Sequence, residues 1–295
     1  MATGATKVGV IGLGQMGGAI SANLVKNGFE VCGFDISDAA RDNLAANGGT
    51  PMDSTGAVAA ASEIMVLSLP SPAALAAVAD EIAAAGNADV ICMEISTLKI
   101  DDKQSAHDRL AGAGITLLDV PMSGTGVQAR SSDLVYFASG KEAAFNTAKA
   151  VLEGFCRDGY YVGPFGDGSK MKFVANLLVA VHNVAAGEAL TLGRKAGLDP
   201  QLILDVIGAS AASSIMFKVR GPVMASGDFS DAGMSVRLFQ KDMGIIGDFA
   251  KELGVGAPLF DASAKIYDTA LEQGHAEEDT ASVVAVHERM AGLRD

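Results

Sequence analysis

The earliest pattern in the chain with a chemical use is a run of glycines. Gly12-Leu13-Gly14-Gln15-Met16-Gly17 follows an apolar, β-branched run and opens a helical pattern. In that strand–turn–helix setting a GxGxxG hexapeptide can hold a dinucleotide. The first glycine permits a tight turn, the second lets backbone approach a pyrophosphate, and the third lets helix and strand pack closely. The helix N-terminus then turns unpaired N–H groups and the positive end of its dipole toward the phosphates. Asp35 stands eighteen residues past Gly17, at the end of the next apolar run. A carboxylate there accepts hydrogen bonds from ribose hydroxyls and repels a 2′-phosphate, so NAD is the expected cofactor and NADP is disfavoured. Taken separately, the hexapeptide would also suit a glycine-rich turn, and Asp35 an ordinary surface acid.

The elements that must carry this loop are legible as an alternation. Strand-length apolar runs cover 8–13, 30–34, 64–69, 90–95, 116–120 and 135–139, with helical patterns over 19–27, 38–47, 73–85, 101–113 and 141–155. Gly28, Gly48, Gly86 and Gly114 close several of the helices, as left-handed glycines do. Strands separated by helices predict a mostly parallel sheet, and unbroken apolar strands predict helices on both of its faces. After Tyr160-Tyr161-Val162 the pattern changes. A turn-rich joint at 164–168 leads into a helix over 169–196, about 28 residues or roughly 42 Å long. Helices are expected over 200–211, 235–253, 258–273 and 280–292, without strands. The fold is therefore read as α/β, a doubly wound Rossmann-type N-terminal domain over 1–164, followed by an all-α C-terminal domain over 165–295 with a long interdomain helix. That helix is apolar nearly all round, so it is expected to pack against both domains and a partner subunit, in a homodimer or homotetramer.

Composition narrows the function classes. The 295 residues suit two domains. With 22 Lys+Arg against 35 Asp+Glu, a formal charge of −13 excludes nucleic acid and anionic membranes as leading partners. Cys32, Cys92 and Cys156 form no CxxC motif, which suits a reduced, cytoplasmic protein. The start, 1–7, lacks a secretory pattern, and the apolar tract 173–193 is broken by Asn176, His182, Asn183 and Glu188, too polar for a bilayer span. His107, His182, His275 and His287 are scattered, so no metal site is expected, and His182 reads as a core or interface histidine. No GxSxG elbow is present.

Gly12–Gly17 followed by Asn23-Leu24 and Gly28 resembles the β-hydroxyacid dehydrogenase family, typified by 3-hydroxyisobutyrate and tartronate semialdehyde enzymes. Further segments match in the family's order over nearly the whole chain. Leu69-Pro70 corresponds to a segment beside the nicotinamide ribose, and Ser96-Thr97 to a Ser/Thr that contacts cofactor. Asp119-Val120-Pro121-Met122-Ser123-Gly124-Thr125-Gly126 is close to the substrate-binding signature DxPxSG. The run from Gly166 to Asn176 fits GxGxxxKxxxN, with the catalytic lysine at Lys172. Phe239-Gln240-Lys241-Asp242 holds a later KD pair whose lysine, Lys241, reaches the cofactor in relatives. Three positions depart from the pattern. Ala175 stands where many relatives have asparagine, Asp35-Ile36-Ser37 replaces Asn-Arg-Thr, and Thr125 replaces glycine. They leave the chemistry in place and the exact substrate open.

The resemblance implies an NAD-dependent oxidoreductase interconverting a small 3-hydroxy acid and its semialdehyde or keto acid. Oxidising an alcohol by hydride transfer requires removal of the hydroxyl proton, and reduction requires a proton donor. Lys172 would serve both directions, with Asn176, four residues on and on the same helix face, orienting substrate. A free lysine pKa of about 10.4 is too high for base work at neutrality. Burial, the helix N-terminus and a nearby Lys241 would bring it down. Spacing alone would equally suit a solvent-facing lysine. Ser123-Gly124-Thr125 could form an anion nest for the substrate carboxylate, or an ordinary surface turn. Lys218 and Arg220, before a helix end expected at Pro222, are possible carboxylate clamps. Tartronate semialdehyde reduction and L-threonate or sugar-acid oxidation fit equally, whereas imine reductases usually lack the lysine. A phosphogluconate dehydrogenase would need a longer helical domain. From another class, a catalytically silent NAD-binding scaffold would fit the fold, though retention of Lys172 and Asn176 argues against it.

Overall fold

The computed structural model describes residues 6–294. Its first part is β1 (Lys7–Ile11), α1 (Gln15–Lys26), β2 (Glu30–Phe34), α2 (Asp38–Ala46), β3 (Thr50–Pro51), α3 (Thr55–Ala61), β4 (Ile64–Leu67), α4 (Pro72–Ala85), β5 (Ile91–Glu94), α5 (Ile100–Gly112) and β6 (Thr116–Asp119). β7 (Met122–Ser123), α6 (Gly126–Arg130), β8 (Val135–Ser139), α7 (Glu142–Glu153) and β9 (Asp158–Gly163) complete it. The sheet order is β3-β2-β1-β4-β5-β6-β8-β7, with β9 on β8. Strands β1 to β6 are parallel, while β8 runs antiparallel to β6 and β7. The chain thus winds outward from β1 in both directions, and the switch point falls between β1 and β4.

Both faces of the sheet are covered, as the unbroken apolar strands require. On one face Val8, Val10 and Val66 pack with Ile20 and Leu24 of α1 and with Ala148 and Val151 of α7. On the other, Met65 and Leu67 pack with Val58 of α3, Leu75 and Ile82 of α4 and Leu110 of α5. Three strands and two helices of this part were not expected. β3 and β7 are two residues each, α3 and α6 are short, and β9 alternates around Tyr160-Tyr161 without a continuous apolar run.

The second part holds α8 (Asp167–Lys195), α9 (Pro200–Ala209), α10 (Ile215–Ser226), α11 (Val236–Glu252), α12 (Pro258–Glu272), a 3₁₀ turn at Thr280–Ser282 and α13 (Val283–Met290). Among the described residues no strand follows β9, and the only pairing is an isolated bridge between Ser235 and Asp279. α10 corrects the sequence reading. Pro222 lies inside this helix rather than after its end. Phe217, Met224, Phe239, Met243, Phe260 and Tyr267 form part of the buried interior.

The chain divides into two compact units, Met1–Lys172 and Phe173–Asp295, whereas the sequence placed the boundary at 164/165. The difference has a local cause: the first turn of α8 is hydrogen-bonded to the ends of β6 and β8. By length and composition alone α8 could cross a bilayer, a property that core helices of globular proteins share, and its polar interruptions Asn176 and Asn183 are buried. Two of its buried polar side chains donate to neighbouring groups. Asn183 donates to the Tyr267 hydroxyl at 2.9 Å and to the Thr280 carbonyl at 2.8 Å, and the Thr191 hydroxyl donates to Gly187.

Candidate active site

The glycine loop is built by close approach. Gly12 has φ +84°, and a Cβ there would lie 2.1 Å from the Ser68 carbonyl oxygen; at Gly17 it would lie 1.8 Å from that of Gly12. Neither site admits a side chain. Gly14, by contrast, has nothing within 4 Å of where its Cβ would be, and no side chain caps the start of α1 behind it. An open glycine before an uncapped helix start, at the sheet's switch point, fits a pyrophosphate. Asp35 supports the loop from β2. Its carboxylate accepts the Leu13 N–H at 2.7 Å and the Ser37 N–H at 2.8 Å. Gln15 and Met16 begin α1, with the Gln15 side chain packed beside Gly126.

The other segments of the first unit emerge at the same edge of the sheet. Leu69, buried, and Pro70, exposed, follow β4, and the Leu69 N–H donates to the Ser96 hydroxyl at 2.8 Å. Thr97, half-buried, follows β5. Ser123, which ends β7, and Gly124 and Thr125, which lead into α6, are half-buried. Gly124 has φ +137°, which requires glycine, and Thr125 caps α6. The Thr125 N–H donates to the Gln128 side chain at 3.0 Å. That amide is therefore engaged in the capping box, which reduces the nest imagined from the sequence to Ser123 and Gly124.

Lys172 is 7% exposed and lies in the second turn of α8. The helix is placed by its glycines and by a carboxylate. A Cβ at Gly168 would sit 2.4 Å from the Phe137 carbonyl oxygen and 2.8 Å from that of Asp119. Asp119 accepts the Ser169 backbone N–H at 2.7 Å and its hydroxyl at 2.9 Å, and the Ser139 hydroxyl accepts the Gly168 N–H at 2.9 Å. A carboxylate at a helix N-terminus is favourable for the dipole and the unpaired amides alike. Asp119 stood in the quoted signature, but its capping of α8 crosses fifty residues and has no sequence signal. Lys103, which pairs with it, and Glu94, which pairs with Lys103, carry no sequence signal either.

In the second unit Asn176 is buried and donates to the Asp242 carboxylate at 3.1 Å. The Lys241 amine is 3.4 Å from the same carboxylate, with its side chain 38% exposed. Arg220 is buried in an ion pair with Asp279 at 2.7 Å, which removes it as a clamp; Lys218 is exposed. Burial pushes the Cys92 and Cys156 thiols up to about 12, so neither is a nucleophile at neutral pH. No cluster of three metal-ligating side chains occurs among the described residues. A cavity of about 390 Å³ opens at the opposite, N-terminal edge of the sheet, lined by Ser62, Glu63, Asn87 and Asp89. Its acidic lining, beside the C-terminal ends of α3 and α4, does not suit the phosphates of a dinucleotide.

A doubly wound sheet with an open glycine loop at its switch point, followed by a helical unit, defines a dinucleotide-dependent oxidoreductase architecture. A family model described as the NAD-binding domain of 6-phosphogluconate dehydrogenase matches residues 7–163, and one described as the NAD-binding of NADP-dependent 3-hydroxyisobutyrate dehydrogenase matches 166–287. The chain is 32% identical to L-threonate dehydrogenase of Cupriavidus necator, covering 95% of each. It is 31% identical to the mitochondrial 3-hydroxyisobutyrate dehydrogenase of Drosophila melanogaster, over 94% of this chain and 87% of that one. A solved structure of Mycobacterium tuberculosis 3-hydroxyisobutyrate dehydrogenase with L-serine superposes with a TM-score of 0.87 at 29% identity, covering 96% of this chain and 99% of that one. The chain belongs to the β-hydroxyacid dehydrogenase family. It is an oxidoreductase of hydroxy acids that uses a nicotinamide cofactor.

Proposed function

We propose that this enzyme oxidises a small 3-hydroxy acid of the 3-hydroxyisobutyrate type, reversibly, with NAD, and that Lys172 moves the hydroxyl proton. The observation that carries the reading is the burial of Lys172 one turn beyond a helix start fixed to the end of the substrate-signature strand. The nicotinamide, when bound, supplies the hydride acceptor. Gly12, Leu13, Gly14, Gln15, Met16 and Gly17 would hold the pyrophosphate, with Leu69, Pro70, Thr97 and Lys241 along the rest of the cofactor. Asp35 supports NAD over NADP, because a 2′-phosphate would meet its carboxylate. Lys172 accepts the hydroxyl proton in oxidation and returns it in reduction, while Asn176 orients the substrate and Ser123, Gly124 and Thr125 line its carboxylate end. Three free cysteines suit a reducing compartment such as the cytoplasm, and exposed Met171, Val174, Leu178 and Leu192 along α8 suit a homodimer or homotetramer.

L-threonate oxidation is the second reading, supported by the hydroxyls of Ser123 and Thr125 and by the name of a relative. A panel of 3-hydroxyisobutyrate, glycerate, threonate, serine and tartronate semialdehyde, run with both nucleotides, separates these. Lys172→Ala is expected to lower kcat by about 10²–10⁴, the range for a positioned acid–base group, while NADH still binds by fluorescence titration. Turnover within tenfold of the parent would reject the proton-transfer role.

A further inference from the structure

Lys103 is the least expected residue of the first unit, a fully buried cation near the start of a helix. It is 0% exposed and the fourth residue of α5, where the helix dipole opposes positive charge. Its amine lies 2.6 Å from the Glu94 carboxylate and 2.8 Å from that of Asp119, both also 0% exposed. Burying three ionisable groups is a poor way to stabilise a sheet edge, since apolar residues of similar volume commonly do as well or better. What distinguishes this trio is what its outer ends hold.

On one side Asp119 receives four donors besides its own strand pairing. Oδ1 accepts from Lys103 and from the Ser169 hydroxyl, and Oδ2 accepts the Ser169 N–H at 2.7 Å and the Ser139 hydroxyl at 3.2 Å. Ser169 is three residues before Lys172 on the same helix, hence on the same face. On the other side Glu94 accepts the Ser96 N–H at 2.9 Å, and the Ser96 hydroxyl accepts the Leu69 N–H at 2.8 Å. A single ammonium thus joins the 69–70 turn, the 96–97 turn, the head of the DxPxSG signature and the start of the lysine helix.

We propose that Lys103, clamped between Glu94 and Asp119, is a positioning group that fixes the start of α8, through Ser169, and so the placement of Lys172 relative to the cofactor-side turns. The inference rests on Lys172 being the proton-transfer residue. Without the ammonium, two fully buried carboxylates face each other, and burial already raises the Glu94 carboxyl above its usual range. One of them then takes a proton, and the constellation that caps α8 changes its charge and its hydrogen-bond directions. A small displacement at the helix start is enough to misalign a proton-transfer group.

The test uses the full chain and the hydroxy acid that the substrate panel identifies. It measures kcat, KM and the pH profile of kcat beside NADH affinity and melting temperature. Lys103→Met and Ser169→Ala are expected to lower kcat by about tenfold or more. Both should move the half-maximal pH of kcat by roughly half a unit or more, with NADH affinity within about twofold of the parent. Should Lys103→Met fail to fold, Ser169→Ala decides, because it removes one hydroxyl and keeps the backbone bond to Asp119. If Ser169→Ala keeps parental kcat and pH profile while Lys172→Ala is inactive, the inference fails and the proton-transfer reading stands. An active Lys172→Ala overturns that reading, and this inference with it.

Discussion

Two buried ion clusters, one in each unit, use the same chemistry for different ends. Arg220 of α10 donates to Asp279 at 2.7 Å, and both are buried. The other Asp279 oxygen accepts the Ala281 N–H at 2.9 Å and its backbone N–H reaches the Phe229 carbonyl at 3.0 Å. Every partner is a turn that closes the helical unit, so this pair holds a frame. Glu94, Lys103 and Asp119 instead end on the segments around Leu69, Ser96, Ser123 and Lys172. A buried ion pair is therefore assigned a role by what its far ends hold, not by its burial or geometry.

The comparison can be broken most directly at Arg220. Arg220→Met leaves the Asp279 carboxylate buried without its cation, and about 3–5 kcal/mol of stability should be lost. Denaturant unfolding measures that loss, and kcat of the folded fraction should stay near the parent. A collapse of kcat/KM at parental stability would make Arg220 a substrate group after all and erase the contrast. Next in size is Gly168→Ala, whose Cβ would meet the Phe137 and Asp119 carbonyl oxygens. It should cost about 1–3 kcal/mol by overpacking and lower kcat as well, because the helix that moves carries Lys172. Gly244→Ala is the matched control. It lies inside α11 with nothing within 4 Å of the added methyl, and should gain about 0.5–1 kcal/mol with kcat unchanged.

The smallest expected effect is a pH dependence confined to the second unit. His287 on α13 has its pKa lowered by burial, partly offset by Glu188, and its Nε2 is buried without a hydrogen-bond partner. Above about 6.5 the ring is neutral in both folded and unfolded chains. Below that value the unfolded chain takes up the proton first, so stability falls as pH drops from about 6.5 toward the lower folded value. His287→Gln should flatten that part of a melting-temperature curve against pH. An unchanged slope would locate the acid sensitivity elsewhere.

The alternation of strands and helices was legible because it is a matter of local periodicity. β2 and β8 fall on the residues read as strands, and β1, β4, β5 and β6 differ by one or two residues at their ends. The fingerprint was legible for a related reason: Gly12 needs φ +84° and Gly17 needs contact with the Gly12 carbonyl, requirements met within six residues. Short elements escaped. β3 and β7 are too brief to show a period, and α10 was hidden by Pro222, which reads as a stop even where it is accommodated inside a helix. Arg220 reads as a possible carboxylate clamp because its partner Asp279 is 59 residues away.

Local pattern sets the glycine loop, the strands and helices behind it and the helix that carries Lys172, because each depends on neighbours within a turn or two. That positions 94, 103, 119 and 169 share one buried site is a product of long-range packing. Parallel strands bring their carboxyl ends to a common edge however far apart they lie along the chain. A charge can be buried there only if its counter-charges arrive from other strands and helices.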